Sequence, residues 1–176
     1  SFCELQLGKM LESKPAVSSS RLIKYICAAN VHYDGVDLSA LKEMFYSEDE
    51  RRNYSIRLGD LLVVEGGAGA GGCAIVKNLA EEVCFQNSII RIRGTVKNVE
   101  NGYLSYWLRS VGERGYVAYI CNVATIPHFT KEKVRDVPMP IPPIDTQRRI
   151  VAYLDEKTAA IDGKVAVLEK KLAAYK

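Results

Sequence analysis

Toward its end the chain repeats in sevens. Val151, Thr158, Val165 and Leu172 stand seven residues apart, and Leu154, Ile161, Leu168 and Tyr175 keep the same interval three residues further on. Together they make four heptads of a and d positions, a narrow seam that suits a coiled coil better than a helix lying on a broad core. A helix over 144–176 is therefore expected, with this seam as its pairing face; the alternative is an amphipathic C-terminal helix packed on its own domain. Just before it stands PMPIPP, at 138–143, where alternate prolines fix φ and remove donors. That stretch should be an extended arm delivering the chain to the helix. The expected division is a globular domain over 1–143 and a helical spacer or dimerisation region over 144–176. The chain opens at Ser1 without a methionine and stops at Lys176 inside the helical pattern, so a piece of a longer protein is expected.

Upstream of the prolines the pattern is mixed. Residues 61–64, 74–76 and 88–92 are β-rich runs. Residues 39–43 and 48–52 look like helical turns, the first with Leu38 and Leu41 inward and Ser39 as cap, while 103–111 carries Leu104, Trp107, Leu108 and Val111 at helical spacing and 131–134 begins another helix. The expected fold class is α+β, a globular domain of short strands and helices followed by a long C-terminal coiled-coil helix. With 48% apolar and 26% charged residues the chain should fold. No apolar run approaches the roughly 20 residues of a membrane span and the first residues are no signal peptide, so a soluble, cytoplasmic protein without a membrane partner is expected.

Most candidate chemistry fails on spacing. Gly67, Gly69 and Gly72 form a literal G-x-G-x-x-G after a convincing strand. A dinucleotide site needs a helix to open at the last glycine, however, and CAIV, which follows, reads as a strand. A Walker loop fails because Gly72 and Cys73 stand where Lys and Ser or Thr are needed after Gly66 and Gly71. The expectation is a hairpin whose glycines supply positive φ or admit another backbone. Asp60 and Glu65 could suggest a metal nuclease, but Gly67 replaces the usual lysine, and Asp60 after Gly59 reads as a turn residue. Cys3, Cys27, Cys73, Cys84 and Cys121 are odd in number and form no C-x-x-C pair, which argues for small apolar residues in a reducing compartment. With only His32 and His128 to add, no zinc site is expected. No cofactor and no catalytic residue are expected.

Three runs taken in order are more telling: GDLLVVEGG at 59–67, FQNSIIRIRG at 85–94 and ATIPHFTKEKVRDVPMPIPP at 124–143. They resemble the target recognition domains of type I restriction-modification specificity subunits. The joining PPIDTQRRIVAYLDEKTAAID at 142–162 is similar to the family's conserved region, and YICAANVHYDGVDLSALKEM at 25–44 to its amino-terminal strand and helix. Two departures stand out: Thr146 precedes Gln147 where the family usually has Glu, and the glycine loop lacks the polar residue often found there. The resemblance implies a subunit that is not an enzyme and that chooses the double-stranded DNA sequence for a methylating and cleaving complex. It implies docking of modification subunits, which methylate adenine with S-adenosylmethionine, and restriction subunits that join through the complex and use ATP. It also implies that the helix pairs antiparallel with a second conserved helix or a second copy of this chain.

Reading DNA needs cations for phosphates and planar polar groups for base edges. Before the helix stand 17 basic and 16 acidic residues, so local patches must do the binding. The candidate contacts are Lys9, Arg21, Lys24 and Tyr25; His32 and Tyr33 after Asn30; and Arg114, Tyr116 and Tyr119 after the Trp107 helix. Arg91 and Arg93 alternate with Ile90 and Ile92 and could turn both guanidinium groups toward DNA. Three other readings remain at this level: a specificity module of a restriction system outside type I, a nucleotide-dependent enzyme using the Gly66 to Gly72 loop, and a pure assembly protein working through the coiled coil.

Overall fold

The computed structural model describes residues 3–94, 99–121 and 126–175. Ala124 and Thr125, which open the third motif, lie outside the described residues, as do Ser1 and Lys176. The strands are β1 (Cys3–Leu7), β2 (Arg21–Ile26), β3 (Val31–His32), β4 (Gly35–Val36), β5 (Lys42–Tyr46), β6 (Leu61–Val64), β7 (Cys73–Ile75), β8 (Cys84–Phe85) and β9 (Ile89–Gly94). The helices are α1 (Glu48–Tyr54), α2 (Asn101–Glu113), α3 (Tyr116–Ile120), α4 (Lys131–Arg135) and α5 (Ile144–Ala174).

The apolar run LLVV is continuous because β6 is covered on both faces. It lies inside an antiparallel sheet of order β1-β9-β6-β7. Side chains alternate across a strand, so Leu61 and Val63 join Ile90, Ile92, Leu104, Leu108 and Phe129 on the helical side. Leu62 and Val64 join Ile26, Ile56, Phe85 and Ile89 on the other, toward a second sheet of order β5-β2-β8. In that sheet β2 runs antiparallel to β5 and parallel to β8. A small β3–β4 hairpin pairs His32 with Gly35 and leaves Tyr33 and Asp34 at its tip.

The expected helical turn at 39–43 is instead a turn leading into β5. Its local cues mislead because the Ser39 amide and hydroxyl both bond Asp37 Oδ1, at 2.8 and 2.7 Å, which makes an Asp-centred turn and not a helix cap. From Lys42 the chain pairs with β2, with Met44 and Tyr46 buried at a spacing of two. The strand and helix expected over 25–44 are accordingly β2, a 3-10 turn at Ala28–Asn30, the hairpin and β5. The helix expected at 48–52 is α1, held by a capping box in which Glu50 N donates to Ser47 Oγ and Ser47 N donates to the Glu50 carboxylate at 2.8 Å.

After α4 the proline arm is extended across α2. Trp107 Nε1 donates to Pro138 O at 2.9 Å and Tyr103 Oη to Pro140 O at 3.0 Å. The 31-residue α5 then runs beside α2 in the same direction, with Val151 against Gly102 and the Tyr106 hydroxyl on Asp155 Oδ1 at 2.7 Å. A β-carbon at Gly102 would lie 3.1 Å from Val151 Cγ1, so the absent side chain is what lets the two helices close. Beyond Thr158 every described residue of α5 is exposed.

Candidate nucleic-acid interface

The glycine loop is the connection of the β6–β7 hairpin. Gly67 and Gly71 take φ of +85° and +86°, where only glycine is unstrained, and Gly71 presses against Val117 of α3. A phosphate cradle would need the loop amides free. Here Gly67 N donates to Pro127 O, Ala70 N to Gly67 O, Gly71 N to Val64 O and Gly72 N to Gly69 O. With those donors engaged and a strand following, the nucleotide-binding reading fails on geometry as well as on pattern.

Asp60 and Glu65 do not form a metal pair. They flank β6 at opposite ends, about 17 Å apart at the strand rise, and each has another partner. Asp60 accepts from Arg93 Nε and Nη2 at 2.7 and 2.6 Å and from Arg57 N at 2.8 Å; Glu65 lies 3.1 Å from His128 Nδ1. Among the described residues no group of His, Cys, Asp and Glu could hold a metal ion. Burial pushes the Cys73 thiol up to about 11 and Cys84 up to about 12, which keeps both as unreactive thiols.

Four of the sequence-picked contacts turn inward. Arg91 is only 2% exposed: its guanidinium donates to Asn53 O, Ser55 O and Glu4 Oε1 at 2.7 to 3.1 Å and lies over the Phe85 ring. Its face of β9 looks toward the second sheet, so Arg91 is not presented to solvent as expected, and Arg93, though partly open, is held by Asp60. The bonds to Asp60 hold the Arg93 pKa above its ordinary value. Lys9 is buried, with its ammonium 2.8 Å from Phe45 O and Glu50 Oε2 and 2.9 Å from Glu12. Tyr25 is buried in the second sheet beside Met44. Lys24 is half-buried and bonds Glu81 at 2.8 Å.

The remaining picks lie on the surface, and most of them gather. The exposed Tyr33, at the hairpin tip, receives the Arg109 guanidinium 5.0 Å above its ring and lies against Gly112. His32 is on the same hairpin, and Arg114 caps the end of α2, exposed and with no carboxylate partner among the described residues. Gly115, at φ +80°, turns the chain into α3, whose Tyr116 is half-buried and whose Tyr119 is 84% exposed. The hairpin tip and the α2–α3 turn thus carry a stacked Tyr–Arg pair, a guanidinium with no carboxylate partner among the described residues, and an open tyrosine. Arg21 is exposed at the far end of β2, away from this face.

Three cations escaped the sequence reading. Arg109 could have been found one turn before Arg114 on the same helix. Arg57 and Lys77 are less apparent, because they are brought near each other where the β6–β7 pairing continues through the Gly59 N to Val76 O and Val76 N to Asp60 O bonds. Both are exposed and line a groove of about 1360 Å³ with Tyr33, Arg109 and, on the α5 side, Asp155 and Asp162.

The heptad seam divides. Val151, Leu154 and Thr158 are half-buried, Val151 against Gly102 of α2 as in a helix packed on its own domain, whereas Ile161, Val165, Leu168, Leu172 and Tyr175 are exposed. Among the described residues no helix is long and apolar enough to cross a membrane.

Comparison with known proteins gives this geometry a context. The family model of the type I restriction modification DNA specificity domain matches residues 2–170. No curated protein matches the sequence. Among solved structures, one described as showing complex assembly and conformational transition of the type I R-M system is similar at a TM-score of 0.65 and 22% identity, over 98% of this chain and 39% of that one. The HsdS subunit from Thermoanaerobacter tengcongensis is similar at a TM-score of 0.60 and 20% identity, over 92% of this chain and 36% of that one. The S subunit of the type I system from M. genitalium gives 0.51 and 15%, over 94% and 40%. At these identities the likeness shows the shared α+β fold with its long helix, and the chain spans about two fifths of each structure it matches.

Proposed function

We propose, from the premise that this chain belongs to the family of type I restriction modification DNA specificity domains, that it reads one half of a split target in double-stranded DNA and catalyses nothing itself. The observation that carries this reading is the extent of the match, which runs through the globular part and on into α5. Residues 1–143 act as the target recognition domain and residues 144–176 as spacer. The modification subunits dock around this scaffold in the cytoplasm, and the restriction subunits join through the complex. The distal seam of α5 makes an antiparallel coiled coil with a second conserved helix or with a second copy of this chain.

Bases are read from the surface of His32, Tyr33, Arg109, Arg114, Tyr116 and Tyr119, where His32, Tyr33, Arg114 and Tyr119 stand exposed and Arg109 and Tyr116 are half-buried. Arg21 and Lys24 contribute phosphate contacts from another side, Lys24 after giving up Glu81. Grafting 1–143 into another specificity subunit should redirect methylation at one half of the target. Mapping of methylated adenines in cells carrying the complete system reads this out, and an unchanged sequence would overturn the reading.

The chain alone should bind duplex DNA weakly and lose affinity as salt rises, because one module releases few counterions. In the complex, Arg114→Ala should relax a single base-pair position by about 1 to 3 kcal/mol, whereas Arg21→Ala should weaken all sequences alike. Competition binding against a set of single-base variants separates the two patterns. Equal weakening by both substitutions would move base reading away from the α2–α3 turn.

A further inference from the structure

The described part of α5 has one fully buried residue, and it is polar: Gln147. Its Oε1 accepts from the Glu100 amide at 3.0 Å and its Nε2 donates to Pro142 O at 2.8 Å. Glu100 is the N-cap residue of α2, and its own side chain makes no cap bond. Pro142 ends the arm that Tyr103 and Trp107 hold against the same helix. One amide therefore joins the start of α5, the start of α2 and the end of the arm. The neighbouring ion pairs of Arg148, with Glu100 at 3.7 Å and Asp145 at 3.6 Å, are too long for hydrogen bonds and Arg148 itself is exposed, so they fix the angle weakly.

We infer that Gln147 is a positioning residue that sets the angle at which α5 leaves the globular part, and through it the spacing at which this part and a partner's reading unit engage DNA. The second half of this rests on the function proposed above; the first does not. Leverage makes the seat matter. From Gln147 to Ala174 the helix runs about 40 Å, so a tilt of about 10° at the base carries its far end about 7 Å. Successive base pairs are about 3.4 Å apart, so that displacement corresponds to about two of them. Val151 on Gly102 and Tyr106 on Asp155 hold the helix sideways against α2. They lie on one side only, and neither reaches the arm.

The test begins on this chain without DNA. Spin labels carried by unnatural amino acids at the exposed Lys42 and Lys170 report the distance from the second sheet to the far helix. Gln147→Met, which keeps length and loses the hydrogen bonds to Glu100 and Pro142, should broaden or shift the distance distribution, while Met44→Ala, a core change in the second sheet, should leave it as in the parent. If Gln147→Met does not fold, Gln147→Glu, which keeps the acceptor and loses the donor, is measured in its place. A distribution as narrow as the parent's, at the same mean, overturns the positioning role. In the complete system the same substitution should leave the bases of both half-sites unchanged and admit spacers at least one base pair longer or shorter; a single unchanged spacer overturns the link to spacing. Failure of the domain graft would instead count against the proposed function and leave the distance measurement to decide the role of Gln147 alone.

Discussion

Replacing Asp60 with alanine is expected to cost the fold about 3 kcal/mol, near the top of the range for a single substitution. Asp60 is 2% exposed, and both carboxylate oxygens are engaged: a bidentate pair with Arg93 and the Arg57 amide. Alanine would leave a guanidinium with only Ser55 O at 3.4 Å, and a turn amide without an acceptor. The Arg93 side chain keeps 21% of its surface open, so water can soften the loss and hold it below the largest values known for buried pairs. Arg93→Ala should cost less than Asp60→Ala, since the Asp60 carboxylate keeps the Arg57 amide. The double variant should be less destabilised than the sum of the singles, because neither charge is then left alone. Urea unfolding followed by circular dichroism measures all three. A loss below about 1 kcal/mol for Asp60→Ala would mean that the ion pair contributes little beyond its desolvation cost.

This pair also marks where the sequence stops being legible. Alternation correctly places Arg91 and Arg93 on one face of β9, opposite Ile90 and Ile92. It cannot say that the face looks inward, because the groups that neutralise it come from far along the chain: Glu4 for Arg91 and Asp60 for Arg93. A buried cation and a DNA-facing cation have the same local pattern; long-range partners decide between them. Lys9 is misread in the same way, its ammonium being held by Phe45 O of β5 and Glu50 of α1.

The elements that were legible are those whose signal is local. The LLVV run of β6, the capped α1, the spacing of α2 and the proline arm each follow from neighbours within a few residues. The segment at 39–43 fails because its cap-like Ser39 bonds Asp37, and its true partner, β2, lies some twenty residues upstream. The surface around Tyr33, Arg109 and Arg114 was half visible. Its residues could be nominated one by one, but the stacking of Arg109 on Tyr33 depends on where the β3–β4 hairpin docks. Arg57 and Lys77 carry no motif of their own; the backbone bonds that extend the β6–β7 pairing to Gly59, Asp60 and Val76 are what make them neighbours.

The heptads show a subtler limit, and the second large effect follows from it. Their period runs unbroken from Val151 to Tyr175, yet the first turns of the seam are spent on α2 while the rest face solvent. Two leucine-like d positions one heptad apart should therefore behave oppositely. Leu154 is half-buried, so Leu154→Asp puts a carboxylate on partly covered surface and should destabilise the fold by about 2 kcal/mol. Ile161 is 59% exposed, so Ile161→Asp should shift unfolding by less than about 0.5 kcal/mol. In the paired helix the same aspartate would have to enter an apolar seam, at a cost of about 3 kcal/mol per substituted helix, which is more than a hundredfold in affinity. Asp155, Asp162 and Glu169 fall at e and Lys157, Lys164 and Lys171 at g. An antiparallel pair of identical helices sets like charges against each other, so a homodimer should be weak and a different conserved helix preferred. Sedimentation equilibrium of the chain, and recovery of the methylating complex from cells, would each register the loss for Ile161→Asp. If that variant unfolds the chain, or assembles as the parent does, the division of the seam at Thr158 is wrong.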